Sequence, residues 1–222
     1  MSDAFHPLNP FSDVHTYRLN LPHWRQENAT YFVTWRLADA LPQSKLEQLK
    51  SERNAWLRTH GIQSKEQIEN LPDDQRHEYH NLFTERVHQW LDAGMGSCVL
   101  RPASCSQMVA DALHHFDGPR YTLDRFVIMP NRVHVLVSPN KEWQLDQILR
   151  SWKSYSASAL NRFLDRKGVL WLEETWDHIV RSVSHLERFR AYISENPLKA
   201  RLRKEDFCLG CGSGIKTSKG EG

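Results

Sequence analysis

The stretch from Tyr121 to Val137, YTLDRFVIMPNRVHVLV, decides the fold that this sequence predicts. Two runs rich in β-branched and aromatic residues, 121–129 and 133–137, are separated by a Pro-Asn pair that is typical of turns. The stretch therefore predicts two adjacent strands. Side chains two residues apart in a strand point to the same face, so we expect Arg132 and His134 to project together. Without further context, a strand with one surface histidine is the simpler interpretation.

Elements on both sides of this stretch follow from the same kind of pattern. The predicted order is a strand at 30–37, helices at 45–58 and 74–93, a strand at 97–100, a helix at 103–116, the strands at 121–129 and 133–137, a helix at 143–164, a strand at 176–181 and a helix at 184–196. This order predicts an α+β fold, a ferredoxin-like antiparallel sheet with helices on one face. The first two helices form an inserted helical hairpin.

The chain divides into three predicted parts. Residues 1–29 form an irregular N-terminal arm, 30–205 a single domain with the helical insertion at about 41–94, and 206–222 a disordered Gly/Ser/Lys-rich tail. In the last helix, Ser184 and Glu187 have the spacing of a capping box. Pro197 is expected to end that helix.

Charge is nearly balanced, with 29 Lys and Arg against 27 Asp and Glu, so net charge alone does not indicate a nucleic-acid partner. The stretch 181–204 is nevertheless basic. No run of about 18 apolar residues occurs, which predicts a soluble, cytoplasmic protein. The Cys208–Cys211 pair has no second pair beside it, so chance spacing is favoured over a zinc or redox site.

Tyr192 and Asn196 are four residues apart on the last predicted helix, so their side chains lie one above the other. They flank the apolar stripe of that helix. Taken alone, Tyr192 is an amphipathic boundary residue whose hydroxyl reaches solvent.

Several motifs together resemble the REP-associated tyrosine transposases, a single-tyrosine HUH group similar to insertion-sequence transposases. These motifs are LPHW at 21–24, TYFVTWRLAD at 30–39, MPNRVHVLV at 129–137, SWKSY at 151–155, LW at 170–171, WDHIVR at 176–181 and YISENPLKA at 192–200. The resemblance covers roughly residues 20–205. It implies a ferredoxin-like HUH domain that binds single-stranded or hairpin DNA.

The resemblance also implies a mechanism, DNA cleavage and rejoining through a covalent 5′-phosphotyrosine, as in a transposase or endonuclease. By position, Tyr192 corresponds to the nucleophile and His134 to the second HUH histidine. His134 and Asn196 would bind a divalent metal, Mg²⁺ or Mn²⁺. His178 has either an auxiliary or a structural role. Relatives occur as monomers or dimers, so a homodimer remains open.

Arg132 departs from the family pattern, because it stands where the first HUH histidine is expected. An arginine stays protonated and cannot coordinate a metal, although its planar fork matches phosphate oxygens. Two alternatives therefore stay open: an active DNA strand transferase, and a domesticated hairpin-DNA-binding protein with weak or lost catalysis.

Single-stranded DNA requires cationic side chains for phosphates and aromatic faces for bases. The basic candidates for DNA contact are Arg181, Arg188, Lys199, Lys153 and Arg201. For Trp171 and Trp176, core packing and DNA contact are equally good interpretations.

Overall fold

The computed structural model describes residues 5–9, 15–18, 22–63, 67–68 and 70–213. It divides into two compact units, one comprising 39–97 and the other comprising the chain on either side of that segment. The smaller unit coincides with the predicted insertion. Within the described residues, no helix is both long enough and apolar enough to cross a bilayer.

The larger unit is built on a five-stranded sheet in which all neighbours are antiparallel. Its strands are β3 (Tyr31–Arg36), β4 (Tyr121–Met129), β5 (Arg132–Pro139), β6 (Trp176–Ile179) and β7 (Cys208–Cys211), in the spatial order β6-β3-β5-β4-β7. Helix α4 (Ala103–His114) precedes β4, and α5 (Leu145–Phe163) precedes β6. This arrangement is the ferredoxin-like α+β fold that the sequence predicts.

One face of the sheet, here called the α5 face, is covered by α4 and α5. Trp35 of β3 stacks on Trp152 of α5 with ring centroids 5.9 Å apart. The Trp152 indole N–H donates to the Tyr121 hydroxyl, which donates to the Leu113 carbonyl of α4. Trp171 also packs edge-on against Trp35 and is only 5% exposed, so it belongs to the core.

The opposite face, here called the α6 face, is covered by α6 (Val183–Lys199). Its core members are Phe32, Val127, Met129, Leu136, Val180, Leu186 and Ile193. The expectation that all helices lie on one face is therefore wrong for the last helix. Phe32 and Leu136 leave this face apolar, and α6 buries it with Leu186 and Ile193.

The ends of α6 also differ from the prediction. Ser182, rather than Ser184, is the N-cap, and its hydroxyl accepts the His185 backbone N–H at 3.2 Å. Pro197 lies inside the helix, because a proline so near the end removes one backbone donor while the last turn still forms. The Ala200 N–H donates to the Asn196 carbonyl at 3.0 Å.

Three further boundaries require correction. Residues 97–100 form no strand, and 99–100 lie in a turn. The predicted irregular arm contains β1 (His15–Arg18) and β2 (Pro22–Arg25), which pair antiparallel. The predicted disordered tail contains β7, which pairs with β4; residues 214–222 lie outside the described residues. Cys208 and Cys211 are three positions apart on β7, so their side chains point to opposite faces of the sheet.

The smaller unit contains α1 (Gln43–Thr59), α2 (Asp73–His80) and α3 (Arg86–Asp92), with a π-helical turn at Asn81–Glu85 joining the last two. Trp56 packs against Tyr79 and Phe83 at ring-centroid distances of 5.2 and 6.2 Å. These contacts give the insertion its own small aromatic core.

Candidate functional site

Strand β5 presents Arg132 and His134 side by side on the α6 face, as the alternation of the strand requires. Both side chains are buried, with 4% and 3% exposure. His134 lies opposite Thr34 of β3 in the strand register, and Thr34 Oγ1 is 2.7 Å from His134 Nδ1. The interpretation of a surface histidine is therefore wrong, because α6 covers this part of the sheet.

In the described part of the chain, the side chains of Asn196, Asn131 and His134 accept hydrogen bonds from the Arg132 guanidinium. It donates from Nη2 to Asn196 Oδ1 at 2.7 Å, from Nη1 to Asn131 Oδ1 at 3.1 Å and from Nε to His134 Nε2 at 3.2 Å. Because a guanidinium nitrogen can only donate, His134 Nε2 must accept and its proton resides on Nδ1, facing Thr34. None of the three acceptors is anionic, so these bonds hold the cation without neutralising its charge.

Helix α6 brings Tyr192 and Asn196 to the same place from the opposite side. The Tyr192 ring is half-buried and meets the His134 ring edge-on, with centroids 5.3 Å apart and planes at 88°. It makes a similar contact with Phe32 at 5.6 Å. Lys199 Nζ lies 5.9 Å from the Tyr192 ring centroid and pairs with Glu195 one turn back. The structure thus unites Tyr192, Asn196, Arg132 and His134, the four predicted site residues.

These residues do not fit the divalent metal that the resemblance implies. The two expected ligand atoms, His134 Nε2 and Asn196 Oδ1, both accept hydrogen bonds from Arg132. The described parts of the chain also contain no group of three His, Cys, Asp or Glu side chains arranged to hold a metal ion. A cationic guanidinium occupies the space between the ligands and would repel a second cation.

The predicted DNA-binding residues fall in different places. Arg181 and Arg188 are exposed near the start of α6, whereas Lys199 and Arg201 are exposed at its end. All four belong to the α6 side of the molecule. Lys153 lies on α5, on the opposite face of the sheet, and donates to the Glu173 carbonyl at 2.8 Å and the Thr175 hydroxyl at 3.1 Å.

Burial lowers the pKa of Lys153 to about 8, against the opposing effect of Glu173 and Glu174. Its position and its hydrogen bonds make Lys153 a structural residue of the α5 face. The structure therefore does not bring it together with the rest of the site.

His178 lies on the α6 face of β6, opposite Phe32 in the register. Its ring stacks on Trp176 at 5.8 Å and meets His185 of α6 edge-on at 5.1 Å. Burial lowers the pKa of His178, and His185 and Arg181 lower it further. The pKa of His185 is lowered by burial, then by Arg188 and Arg181. The structure thus assigns His178 to the aromatic surroundings of the site.

Sequence reasoning missed Asn131, which builds the site, and Arg25, which fixes β2 in place. Asn131, fully buried, was read only as part of a turn, although its amide oxygen anchors Arg132. Arg25 was read as part of the arm; it donates to both Asp146 and Asp177, at distances from 2.7 to 3.1 Å, and so fixes β2 to α5 and β6. The contact between Asn131 and Arg132 could have been expected, because the two residues are adjacent in the sequence. The partners of Arg25 could not, because they lie more than 100 residues away.

The comparison with known families bears directly on this site. Residues 105–196 match the family model described as "Transposase IS200 like", which is under half of the 222-residue chain. The resemblance to insertion-sequence transposases is thereby confirmed over a segment that contains all four predicted site residues. No curated protein matches the chain. A solved structure described as "Structure of the REP associates tyrosine transposase bound to a REP hairpin" is 14% identical, with a TM-score of 0.42; the match covers 85% of this chain and 75% of that one.

Proposed function

We propose that this chain, which is similar to IS200-like transposases over residues 105–196, binds single-stranded or hairpin DNA at Tyr192 and uses Arg132 where those enzymes would use a metal. One observation carries the proposal: the guanidinium donates to both expected metal ligands, His134 and Asn196. A guanidinium matches phosphate oxygens and keeps its charge at every relevant pH. It supplies the cation that a phosphodiester needs without any metal being recruited.

The substrate class rests on the sequence resemblance and on the basic side chains of the α6 side. Arg181, Arg188, Lys199 and Arg201 are exposed there. Phosphate contacts of this type supply most of the affinity for single strands and make it depend on salt. In the proposed complex, the strand lies on the α6 side with one phosphate near Arg132 and Tyr192.

Binding is tested by fluorescence anisotropy with a hairpin oligonucleotide that carries a single-stranded flank. The wild type should bind equally well in EDTA and in Mg²⁺, because Arg132 is a permanent cation. Arg132→Met, which keeps the side-chain volume, should weaken binding by about 10- to 100-fold, the loss expected for a charged hydrogen bond. Arg150→Ala, which removes an exposed arginine of α5, is the matched control and should change nothing. Binding that EDTA abolishes would overturn the proposal.

A second candidate is DNA cleavage by Tyr192, favoured by the location of its ring beside His134 and below Lys199. In this reaction the phenol loses its proton and its oxygen forms a bond to phosphorus, the bond from phosphorus to the 3′ oxygen breaks, and that oxygen takes up a proton. The product would be a 5′-phosphotyrosine and a free 3′-hydroxyl. A guanidinium stabilises charge on the phosphate but is no Lewis acid, so we expect cleavage to be slow or lost.

A denaturing gel with a labelled hairpin separates the two functions. We expect no metal-dependent covalent adduct from the wild type. An adduct that forms in EDTA and disappears in Tyr192→Phe would establish the second candidate. An adduct that requires Mn²⁺ would contradict the assignment of Arg132 as the replacement of the metal.

A further inference from the structure

We propose that Trp176, together with Trp24 and Arg181, forms a stacking site for unpaired nucleobases of the strand that leads to Tyr192. This inference rests on the proposed function and adds to it the unpaired bases that the protein contacts. The three residues are called the aromatic platform below.

The exposure of the tryptophans separates Trp176 and Trp24 from the others. The chain has eight tryptophans, and Trp24 and Trp176 are the most exposed of them, at 44% and 43%. Trp35 and Trp152, by contrast, are 2% exposed. Leaving so much apolar area in water forgoes about 1 kcal/mol or more per ring, which favours a binding role.

Trp176 is tied to the candidate site through one shared neighbour. The Phe32 ring is met edge-on by Trp176 at 5.6 Å and by Tyr192 at 5.6 Å, and it lies parallel to the His134 ring at 5.8 Å. Trp176 and Tyr192 therefore belong to one aromatic patch on the α6 face. A base stacked on Trp176 would be within a few nucleotides of a phosphate near Arg132.

Trp24 on β2 adds a second exposed ring, beside Arg181. Arg25 bonds Asp177, whose side chain points away from the α6 face because its neighbour Trp176 points towards it. Trp24 alternates with Arg25 on β2 and is therefore directed to the other side. Its ring lies 5.9 Å from the Arg181 guanidinium carbon. Arginine beside an aromatic ring is suited to a nucleotide, because one group binds phosphate and the other stacks on the base.

The charges around the platform complement a nucleic acid. Arg181 and Arg188 are exposed, and both contribute to the lowered pKa of His185, while Arg181 also lowers that of His178. Burial is the larger cause of both lowered pKa values, and the two arginines place positive charge close to these rings. Exposed aromatic rings alone would suit a protein partner. Aromatic rings next to positive charges suit single-stranded DNA, because the rings stack on bases and the cations bind phosphates.

The test compares a hairpin with a single-stranded flank and the same hairpin with a blunt end. Stacking on an aromatic side chain contributes about 1–3 kcal/mol per base, so Trp176→Ala should weaken binding of the flanked hairpin by about 5- to 150-fold. Binding of the blunt hairpin should be unchanged. Trp176→Phe should retain most of the affinity, since a ring remains. Tyr155→Ala is the matched control, because Tyr155 is 60% exposed but lies on α5.

Two readouts distinguish stacking from general damage to the site. The salt dependence of binding should keep its slope in Trp176→Ala, whereas Arg181→Ala should reduce the slope by about 0.7, the value for one phosphate contact to a single strand. Abasic sugars in the flank should reproduce the loss in the wild type and cause no further loss in Trp176→Ala.

The possible outcomes distinguish failure of the aromatic platform from failure of the proposed DNA binding. If Trp176→Ala binds the flanked hairpin as the wild type does, the platform is refuted while hairpin binding stands. If the wild type binds no DNA at low salt, the proposed function fails and the platform fails with it. If Trp176→Ala instead changes the oligomeric state and not the preference for the flank, the exposed ring serves a protein contact and the inference is wrong.

Discussion

Replacing Arg132 by histidine should convert the site from a metal-free one into one that binds Mn²⁺. In the wild type, a metal must displace the guanidinium from His134 Nε2 and Asn196 Oδ1, which it contacts at 3.2 and 2.7 Å. Each hydrogen bond to a charged group contributes about 1.5–3 kcal/mol, so displacement of two costs about 3–6 kcal/mol. That penalty weakens metal binding by about 10²- to 10⁴-fold before charge repulsion is counted.

Arg132→His removes this penalty and adds a third ligand on the same face of β5 as His134. Imidazole and amide oxygen are both acceptable ligands for Mn²⁺. With 1 mM Mn²⁺ and a dissociation constant of about 10 µM, binding to the folded state alone would stabilise it by about 2.7 kcal/mol. For a chain of this size, that corresponds to a rise in Tm of about 5–10 °C.

The assay is a thermal melt with Mn²⁺ or EDTA, which requires neither DNA nor activity. The wild type and Arg132→Met should show no Mn²⁺-dependent rise in Tm, whereas Arg132→His should. An equal rise in the wild type would refute the conclusion that the guanidinium blocks the site. No rise in Arg132→His would show that His134 and Asn196 are not metal ligands even when they are released.

The contacts that hold the site in place can be tested one by one. Thr34→Val removes the 2.7 Å hydrogen bond to the site histidine and should lower the free energy of unfolding by about 1–2 kcal/mol in urea titrations. Arg25→Ala leaves the Asp177 carboxylate, whose side chain is 1% exposed, without its arginine; it should destabilise by about 3–5 kcal/mol, and an unchanged urea midpoint would contradict this. Burial lowers the pKa values of His178 and His185, so the folded state favours their neutral forms. Their contribution to stability is complete above about pH 6.5 and declines as the pH falls through the lowered pKa values. The Tm should therefore fall over that pH range. The fall in Tm should be smaller in a variant with glutamine at both positions.

The sequence predicts best what depends on local periodicity. The strands on either side of the Pro-Asn turn follow from alternation, and the structure ends β4 at Met129, as predicted. The location of Tyr192 and Asn196 on the same side of one helix follows from helical spacing in the same way. These features need no knowledge of the rest of the chain, because neighbours along an element determine them.

Long-range packing explains what the sequence did not predict. β7 has the composition of a loop, yet it completes the sheet because Leu209 pairs with Val127 and Cys208 with Ile128. Gly210 lies against the Phe126 ring, and a Cβ at this position would overlap the ring. Glycine, which is unfavourable in most strands, is therefore required here so that β7 can approach Phe126 closely. The placement of α6 likewise depends on the apolar face of strands distant in sequence.

Arg132 shows why a site can keep its architecture while its chemistry changes. Asn131, His134 and Asn196 hold the guanidinium through neutral acceptors, so these contacts orient one positive charge and do not cancel it. A metal ion can leave or be chelated, whereas a side chain cannot. In the proposed function, this arginine stands in place of the Lewis acid that would stabilise a leaving 3′ oxygen. Under that proposal, recognition of a phosphate and cleavage of its ester are separable. Measuring DNA binding in EDTA, and separately the yield of any covalent product, tests which of the two the protein performs.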